Sequence, residues 1–304
     1  MKKANTISLK NDYAFTQIMK QPKVLRGFLS SILDIPPETI GKIHVKDRYL
    51  SKDFLEGKLS ILDLYTIVED TGKINIEMQL LPYTYWDRRA LSYLAKVYTQ
   101  DLKSGDTYGS CIKTIHISIL GFNQLNDTDY FYSSFHMRED NRHSLYSDQW
   151  EIHVIELRKL HTSQVKKEHK KLYQWACFIC AEGEEERAMI EKDPYIEEAI
   201  KELELLERDP ERMDEYLFRQ KNLSDYVTQM ESSREEGLIE GLKEGAQLKL
   251  IGQVQKKLQR GLSEKEIAEA LEEPQETIAG ICRLIKLHPL APKEELLKIL
   301  KKSS

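Results

Sequence analysis

The sequence predicts an α/β fold, a sheet flanked by helices, followed by an all-helical C-terminal region. Three observations lead there. Within residues 1–160, alternating β-branched and aromatic runs are interleaved with helical patterns. From about residue 168 only helical patterns occur. Between them in importance stands the stretch 58–80, KLSILDLYTIVEDTGKINIEMQL, which reads as two apolar strands joined by a turn.

Taken in order, residues 11–34 place Phe15, Ile18, Met19, Leu25, Phe28, Leu29, Ile32 and Leu33 at helical spacing, with Asn11 or Asp12 as N-cap. Pro22 divides this stretch into two helices, and Pro36-Pro37 ends it. IGKIHVKDRYL (40–50) reads as a first strand. The two strands of 58–80 follow, joined through Glu69-Asp70-Thr71-Gly72, a hairpin-turn composition. Residues 84–105 form a helix with Leu91, Leu94, Ala95, Tyr98 and Leu102 on one stripe, cations at Arg88, Arg89, Lys96 and Lys103, and Gly105 as C-cap. Three further strands are expected at 111–122, 129–138 and 150–160.

The helical remainder includes a four-residue repeat, Glu236-Gly237, Glu240-Gly241, Glu244-Gly245, which sets three glycines on one face. Each glycine costs a helix about 0.5–1 kcal/mol relative to alanine, so either another helix approaches closely there or the segment is a loosely helical hinge. Residues 261–287 look like two short helices joined by a turn, Ser263 and Glu266 forming a capping box. That pattern resembles a helix-turn-helix, but the first turn of its second helix, Gln275-Glu276-Thr277, holds no cation for phosphate. A packing or oligomerisation module is the favoured interpretation.

Composition sets the outer limits. The 304 residues, 40% hydrophobic and 31% charged, suit a globular protein of one large or two ordinary domains. No window approaches 18 uncharged apolar residues, and MKKANTISLKNDYAF lacks an apolar signal core, so no membrane span or signal peptide is expected and the cytoplasm is the default compartment. The net charge of −5 is uneven: residues 1–180 hold 25 Lys and Arg against 21 Asp and Glu, leaving 20 against 29 for residues 181–304. An anionic partner would meet the first part. Of the four cysteines, Cys177 and Cys180 form a CxxC in a helical pattern with no second ligand pair at zinc-like spacing, which favours core thiols over a metal site.

Chemistry concentrates in 58–80. Asp63 lies between Leu62 and Leu64, and Glu77 between Ile76 and Met78. A hairpin can set two such carboxylates side by side as hard oxygen ligands for Mg²⁺, with Gln79 on the same face as Glu77. Arg88 and Arg89 on the next helix could supply a cation. The alternative is a half-exposed hairpin with an ordinary polar face.

These residues resemble a known family. The pattern Asp63…Glu77-x-Gln79, placed as hydrophobic-Asp-hydrophobic, hairpin, then Ile-Asn-Ile-Glu-Met-Gln, is similar to the PD-(D/E)xK nuclease core as carried by the Rpn family of recombination-promoting nucleases and transposases. So are Asn11-Asp12-Tyr13-Ala14-Phe15, the helix around Arg89, Tyr93, Lys96 and Tyr98, the strand Ile115–Leu120, the run Ile152–Leu157, and the Glu-Gly repeats before GLSEKEIAEAL. The resemblance implies a restriction-endonuclease-like central mixed sheet flanked by helices. It also implies Mg²⁺-dependent (or Mn²⁺-dependent) hydrolysis of DNA phosphodiesters in mobile-element, recombination or phage-defence processes. Asp63 and Glu77 match the acidic metal ligands, with Asp12 as an additional candidate, and Gln79 stands where most of the superfamily has lysine. The missing cation is then expected from Lys58, Arg89 or Lys96.

The expected organisation is a nuclease domain over 1–180, a helical segment with Glu-Gly repeats over 181–246, and a small helix-turn-helix-like module over 247–304. A homodimer acting on DNA, with no membrane association, fits it. Two rivals stand beside it: a catalytically decayed nuclease fold acting as regulator or inhibitor, and a DNA-binding regulator using residues 261–287.

Overall fold

A computed structural model describes residues 7–46, 63–162 and 167–303. The expected strand residues 47–50 and 58–62, with Lys58, lie outside the described residues. The chain forms two compact units, Met1–Lys221 and Asn222–Ser304.

The first unit begins with α1 (Asp12–Met19), capped by the Asn11 side chain, which accepts from the Tyr13 and Ala14 N–H groups. Pro22 starts α2 (Pro22–Leu33), where its missing N–H costs nothing. Asp34 closes that helix in the left-handed region, φ 52°.

Six strands follow: β1 (Ile43–Lys46), β2 (Leu64–Val68), β3 (Gly72–Gln79), β4 (Thr114–Leu120), β5 (Tyr132–Arg138) and β6 (Leu145–Glu156). They form one mixed sheet in the order β1-β2-β3-β4-β6-β5. β1, β2 and β3 pair antiparallel, β3, β4 and β6 parallel, and β5 antiparallel to β6. The parallel step from β3 to β4 requires a crossover. It is made by α3 (Trp86–Thr99).

Alternation along the strands gives the sheet two different faces. One presents Leu64, Val68, Ile74, Ile76, Met78, Ile115, Ile117, Ile119 and Ile155. These pack with Phe15, Phe28 and Leu29 of the first two helices, with Trp175 and Phe178 of α4 (Lys170–Cys180), and, after the short α5 (Glu184–Ala188), with Ile196, Leu203 and Leu206 of α6 (Pro194–Arg208). Burying each of those large side chains contributes about 1.5–3 kcal/mol, so this layer carries most of the unit's hydrophobic stabilisation. The opposite face is covered by α3, through Tyr93 and Val97 against Tyr65, and Trp86 against Leu120 and Val154. Between them lie Lys73, Asn75, Glu77, His116 and Ser118, all buried and all polar.

Several element boundaries depart from the sequence expectation: β1 starts at Ile43, β4 spans Thr114–Leu120, β5 starts at Tyr132 and β6 ends at Glu156. Asp63 is a bend residue immediately before β2. α3 ends at Thr99, because the Asp106 carboxylate accepts the Lys103 N–H at 2.9 Å and gives the backbone a turn in place of another helical step. Gln100 is therefore the C-cap, and Gly105 (φ 93°) serves the turn beyond. β6 starts at Leu145, where irregular pairing with β5 extends it ahead of Trp150.

The helix α7 (Pro210–Gln259) carries the boundary between the units. It runs through Gly237, Gly241 and Gly245 without a break, and a Cβ placed on any of the three would meet nothing within 4 Å. The second unit adds α8 (Glu264–Leu271), α9 (Gln275–Leu287) and α10 (Lys293–Ser303). Ser263 and Glu266 close the expected capping box, and Ile251, Val254, Ile267, Ile278, Ile281 and Leu296 form the core. Among the described residues no helix is long and apolar enough to cross a membrane.

Candidate active site

The antiparallel register of β2 and β3 sets Leu64 opposite Ile76, and so Asp63 opposite Glu77. The two acids are tied to each other's backbone. The Met78 N–H donates to Asp63 Oδ2 at 2.9 Å, and the Asp63 N–H donates to Glu77 Oε1 at 3.2 Å. Each carboxylate is therefore aimed by the strand segment that carries the other.

Glu77 is 1% exposed. Burial, followed by the charge of Asp63, pushes its carboxyl up to about 8, against smaller opposing effects of the Asp63 N–H, Arg89 and Asn75. In its metal-free form the pair holds a proton at neutral pH. Two carboxylates held this close, one of them buried, are an arrangement that a hard divalent cation would relieve.

Arg89, in the first turn of α3, approaches the carboxylate: its Nη2 lies 3.8 Å from Glu77 Oε2. The guanidinium is fixed from several sides. Its Nε donates to the Tyr93 hydroxyl at 3.0 Å, and it lies over the rings of Trp86, Tyr93 and Tyr83 at 5.3, 5.2 and 5.6 Å. Lys96 is half-buried two turns further along the same helix. Gln79 continues the polar side of β3, and its amide donates to the Leu81 carbonyl at 3.0 Å. Asp12 is engaged elsewhere: its carboxylate faces Arg219 at 3.5 Å and accepts the Tyr13 N–H at 2.8 Å. The structure thus brings together Asp63, Glu77 and Arg89, with Gln79 on the same strand, and does not bring Asp12 to them.

Sequence reasoning missed the polar groups behind Glu77. Asn75 Nδ2 meets His116 Nδ1 at 3.1 Å. An amide N–H can only donate, so Nδ1 is the acceptor and the neutral ring carries its proton on Nε2. That Nε2–H donates to Ser118 Oγ at 3.0 Å, and the Trp86 indole N–H donates to the same oxygen at 3.1 Å. Complete burial pushes His116 down to about 3, so it stays neutral. Since Trp86 underlies Arg89 and Asn75 shares the face of β3 with Glu77, these residues lie in a ring: Glu77, Asn75, His116, Ser118, Trp86, Arg89. At the far end of the strand the buried Lys73 caps α3, donating to the Val97 carbonyl at 3.0 Å and pairing with Asp101 at 2.7 Å. The available signal was polar residues at every second position, Lys73, Asn75, Glu77 and Gln79 on β3, His116 and Ser118 on β4.

Among the described residues no group of three or more His, Cys, Asp and Glu is placed to hold a metal ion. A two-carboxylate site nevertheless fits Mg²⁺, which keeps several waters and takes its remaining ligands from substrate phosphate. Cys177 and Cys180 are free thiols held up by burial, Cys180 at about 11. They line a cavity of about 980 Å³, beside Leu80, Gly121 and Arg158, that includes none of the carboxylates above.

Among models of protein families, the one described as PD-(D/E)XK nuclease family transposase matches residues 9–233. No curated protein and no solved structure matches the chain.

Proposed function

The chain belongs to the PD-(D/E)XK nuclease family transposases, and from that premise we propose that it is a Mg²⁺-dependent DNA endonuclease working at Asp63, Glu77, Gln79 and Arg89. The observation that carries the proposal is the reciprocal Asp63–Glu77 pairing with Arg89 beside it. One buried and one half-buried carboxylate with a guanidinium held among three rings, all within a few ångströms, are an arrangement suited to phosphoryl transfer.

Hydrolysis adds water across one P–O bond, its hydroxyl going to phosphorus and its proton to the leaving oxygen. Asp63 and Glu77 would hold a divalent cation, Mg²⁺ or Mn²⁺, with Glu77 as its carboxylate. When bound, the ion supplies charge neutralisation and water activation. Arg89 is held for the charge that builds on the phosphate oxygens, the part played elsewhere in the superfamily by a strand lysine. The Gln79 amide, neutral and at the mouth of the strand, orients water or phosphate. Lys96, two turns further along α3, would meet the DNA backbone rather than the scissile group, and Asp12 supports the fold through Arg219.

Cutting both strands of a duplex with one site per subunit calls for a symmetric pair of subunits, so we take the working form as a homodimer in the cytoplasm. The helical parts 181–246 and 247–304 would then assemble or regulate it. Cleavage of plasmid DNA with Mg²⁺, Mn²⁺ or EDTA, for the wild type beside Asp63→Asn and Glu77→Gln, tests the site. Metal-dependent nicking should be lost in both variants, and activity that survives both removes these residues from the chemistry.

A further inference from the structure

The loop leading into α3 carries two aromatic rings outward beside the carboxylates. Tyr83 is 40% and Tyr85 56% exposed, whereas Trp86, the next aromatic along, is buried. Large aromatics left in water need an explanation when they stand next to a reactive centre. Each ring is backed by a cation: Arg88 lies over Tyr85 at 5.0 Å, and Arg89 over Tyr83 at 5.6 Å. Arg89 is also the group 3.8 Å from Glu77. A single guanidinium thus separates the Tyr83 ring from the carboxylate pair.

The surroundings settle what such a surface suits. Asp87 is exposed in the first turn of α3, so the patch is not a simple basic footprint for any polyanion. What distinguishes it is a pair of π faces held rigid by cations. Stacking on exposed tyrosine recognises unpaired bases, which offer a free face, and not bases inside a duplex, whose faces are already stacked. Adjacent cations would hold the intervening phosphates.

Building on the nuclease function proposed above, we infer that Tyr83 and Tyr85 form a stacking platform for unpaired nucleotides flanking the scissile phosphate. The substrate is then DNA that is single-stranded, or locally melted, at the site of cleavage. Tyr83 takes the base nearest Glu77 and Tyr85 its neighbour, with Arg88 and Arg89 on the connecting phosphates.

The test is binding without cleavage. Fluorescence anisotropy in EDTA compares a single-stranded deoxyoligonucleotide of about a dozen residues with its own duplex and with single-stranded RNA of the same sequence. The wild type should prefer the single DNA strand to the duplex. Tyr83→Ala and Tyr85→Ala should each weaken that binding about 5- to 150-fold, the usual range for one lost stacking partner. Tyr83→Phe and Tyr85→Phe, which keep the ring, should retain it. The platform is overturned by a wild type that binds duplex more tightly, by alanine variants that bind as the wild type does, by phenylalanine variants that lose as much as alanine, or by tighter binding of RNA. Because no metal is present, these outcomes are independent of catalysis. A protein that nicks plasmid at Asp63 and Glu77 but prefers duplex loses the platform and keeps the nuclease, and one that stacks single strands but never cuts does the reverse.

Discussion

Arg89 reaches from α3 to within 3.8 Å of the Glu77 carboxylate, across a helix-to-sheet layer that is polar on the sheet side. In the proposed site it would take the part of the lysine for which Gln79 stands, arriving from a different element. Its planar guanidinium is also sandwiched among three rings, which a lysine ammonium cannot reproduce. Arg89→Gln should therefore slow metal-dependent DNA cleavage about 10- to 1,000-fold, as expected for removing one fixed group that stabilises developing charge. Arg89→Lys should recover only part of that loss. Single-turnover cleavage rates at saturating metal are the measurement, and a lysine variant equal to the wild type would show that charge alone matters.

The proton on Glu77 makes the metal-free protein sensitive to alkali. Its folded value, raised from 4.5 to about 8 by burial and then by Asp63, means that the folded state binds a proton more tightly than the unfolded chain. That contribution to stability is fully present below about pH 4.5 and is lost as pH rises toward 8. Thermal melts in EDTA should accordingly fall in midpoint across that window, and Glu77→Gln, which never ionises, should flatten the slope. Equal slopes in the two proteins would place the proton elsewhere.

How much of this could be read from the chain depends on whether local pattern or long-range register decides it. Asp63 and Glu77 were legible because an acid flanked by leucine or isoleucine in a strand pattern is costly to bury, and because Asp70 to Gly72 announces the turn that pairs them. The buried ring behind them was not. Asn75, His116 and Ser118 alternate with isoleucine just as a solvent-facing strand would. Only the parallel register of β3 with β4, Asn75 beside His116 and Glu77 beside Ser118, and the roof of α3 turn that face inward. Of the three cations offered by sequence, Lys58 lies outside the described residues, and that Arg89 approaches Glu77 depends on the position of α3 on the sheet. The end of that helix was missed because the Asp106 side chain competes for backbone that its apolar stripe would have kept helical.

The Ser118 hydroxyl oxygen accepts from both Trp86 Nε1 and His116 Nε2, and all three side chains are buried. Ser118→Ala leaves two donors without an acceptor and no space for water to replace it. It should cost about 2–4 kcal/mol, one to two buried unsatisfied groups. Urea unfolding followed by tryptophan fluorescence reads this directly. A loss below about 0.5 kcal/mol, the size of an ordinary surface change, would mean that the ring is not stabilising.

Gly72 and Gly105 both have positive φ, 133° and 93°, but only the first is also crowded. A Cβ at Gly72 would lie 2.3 Å from the Lys113 carbonyl oxygen, the same oxygen that accepts the Lys73 N–H at 2.8 Å where β3 joins β4. A Cβ at Gly105 meets nothing within 4 Å. Gly105→Ala should therefore cost about 1 kcal/mol, the backbone strain alone. Gly72→Ala adds a steric term that can be relieved only by shifting β3 against β4, and should cost about 2–4 kcal/mol. Because β3 carries Asn75, Glu77 and Gln79, that shift should also lower DNA cleavage, while Gly105→Ala leaves it unchanged. Urea midpoints and plasmid nicking measured on the two variants together separate crowding from strain: equal destabilisation would show that the turn conformation, and not the β3–β4 junction, sets the requirement for glycine.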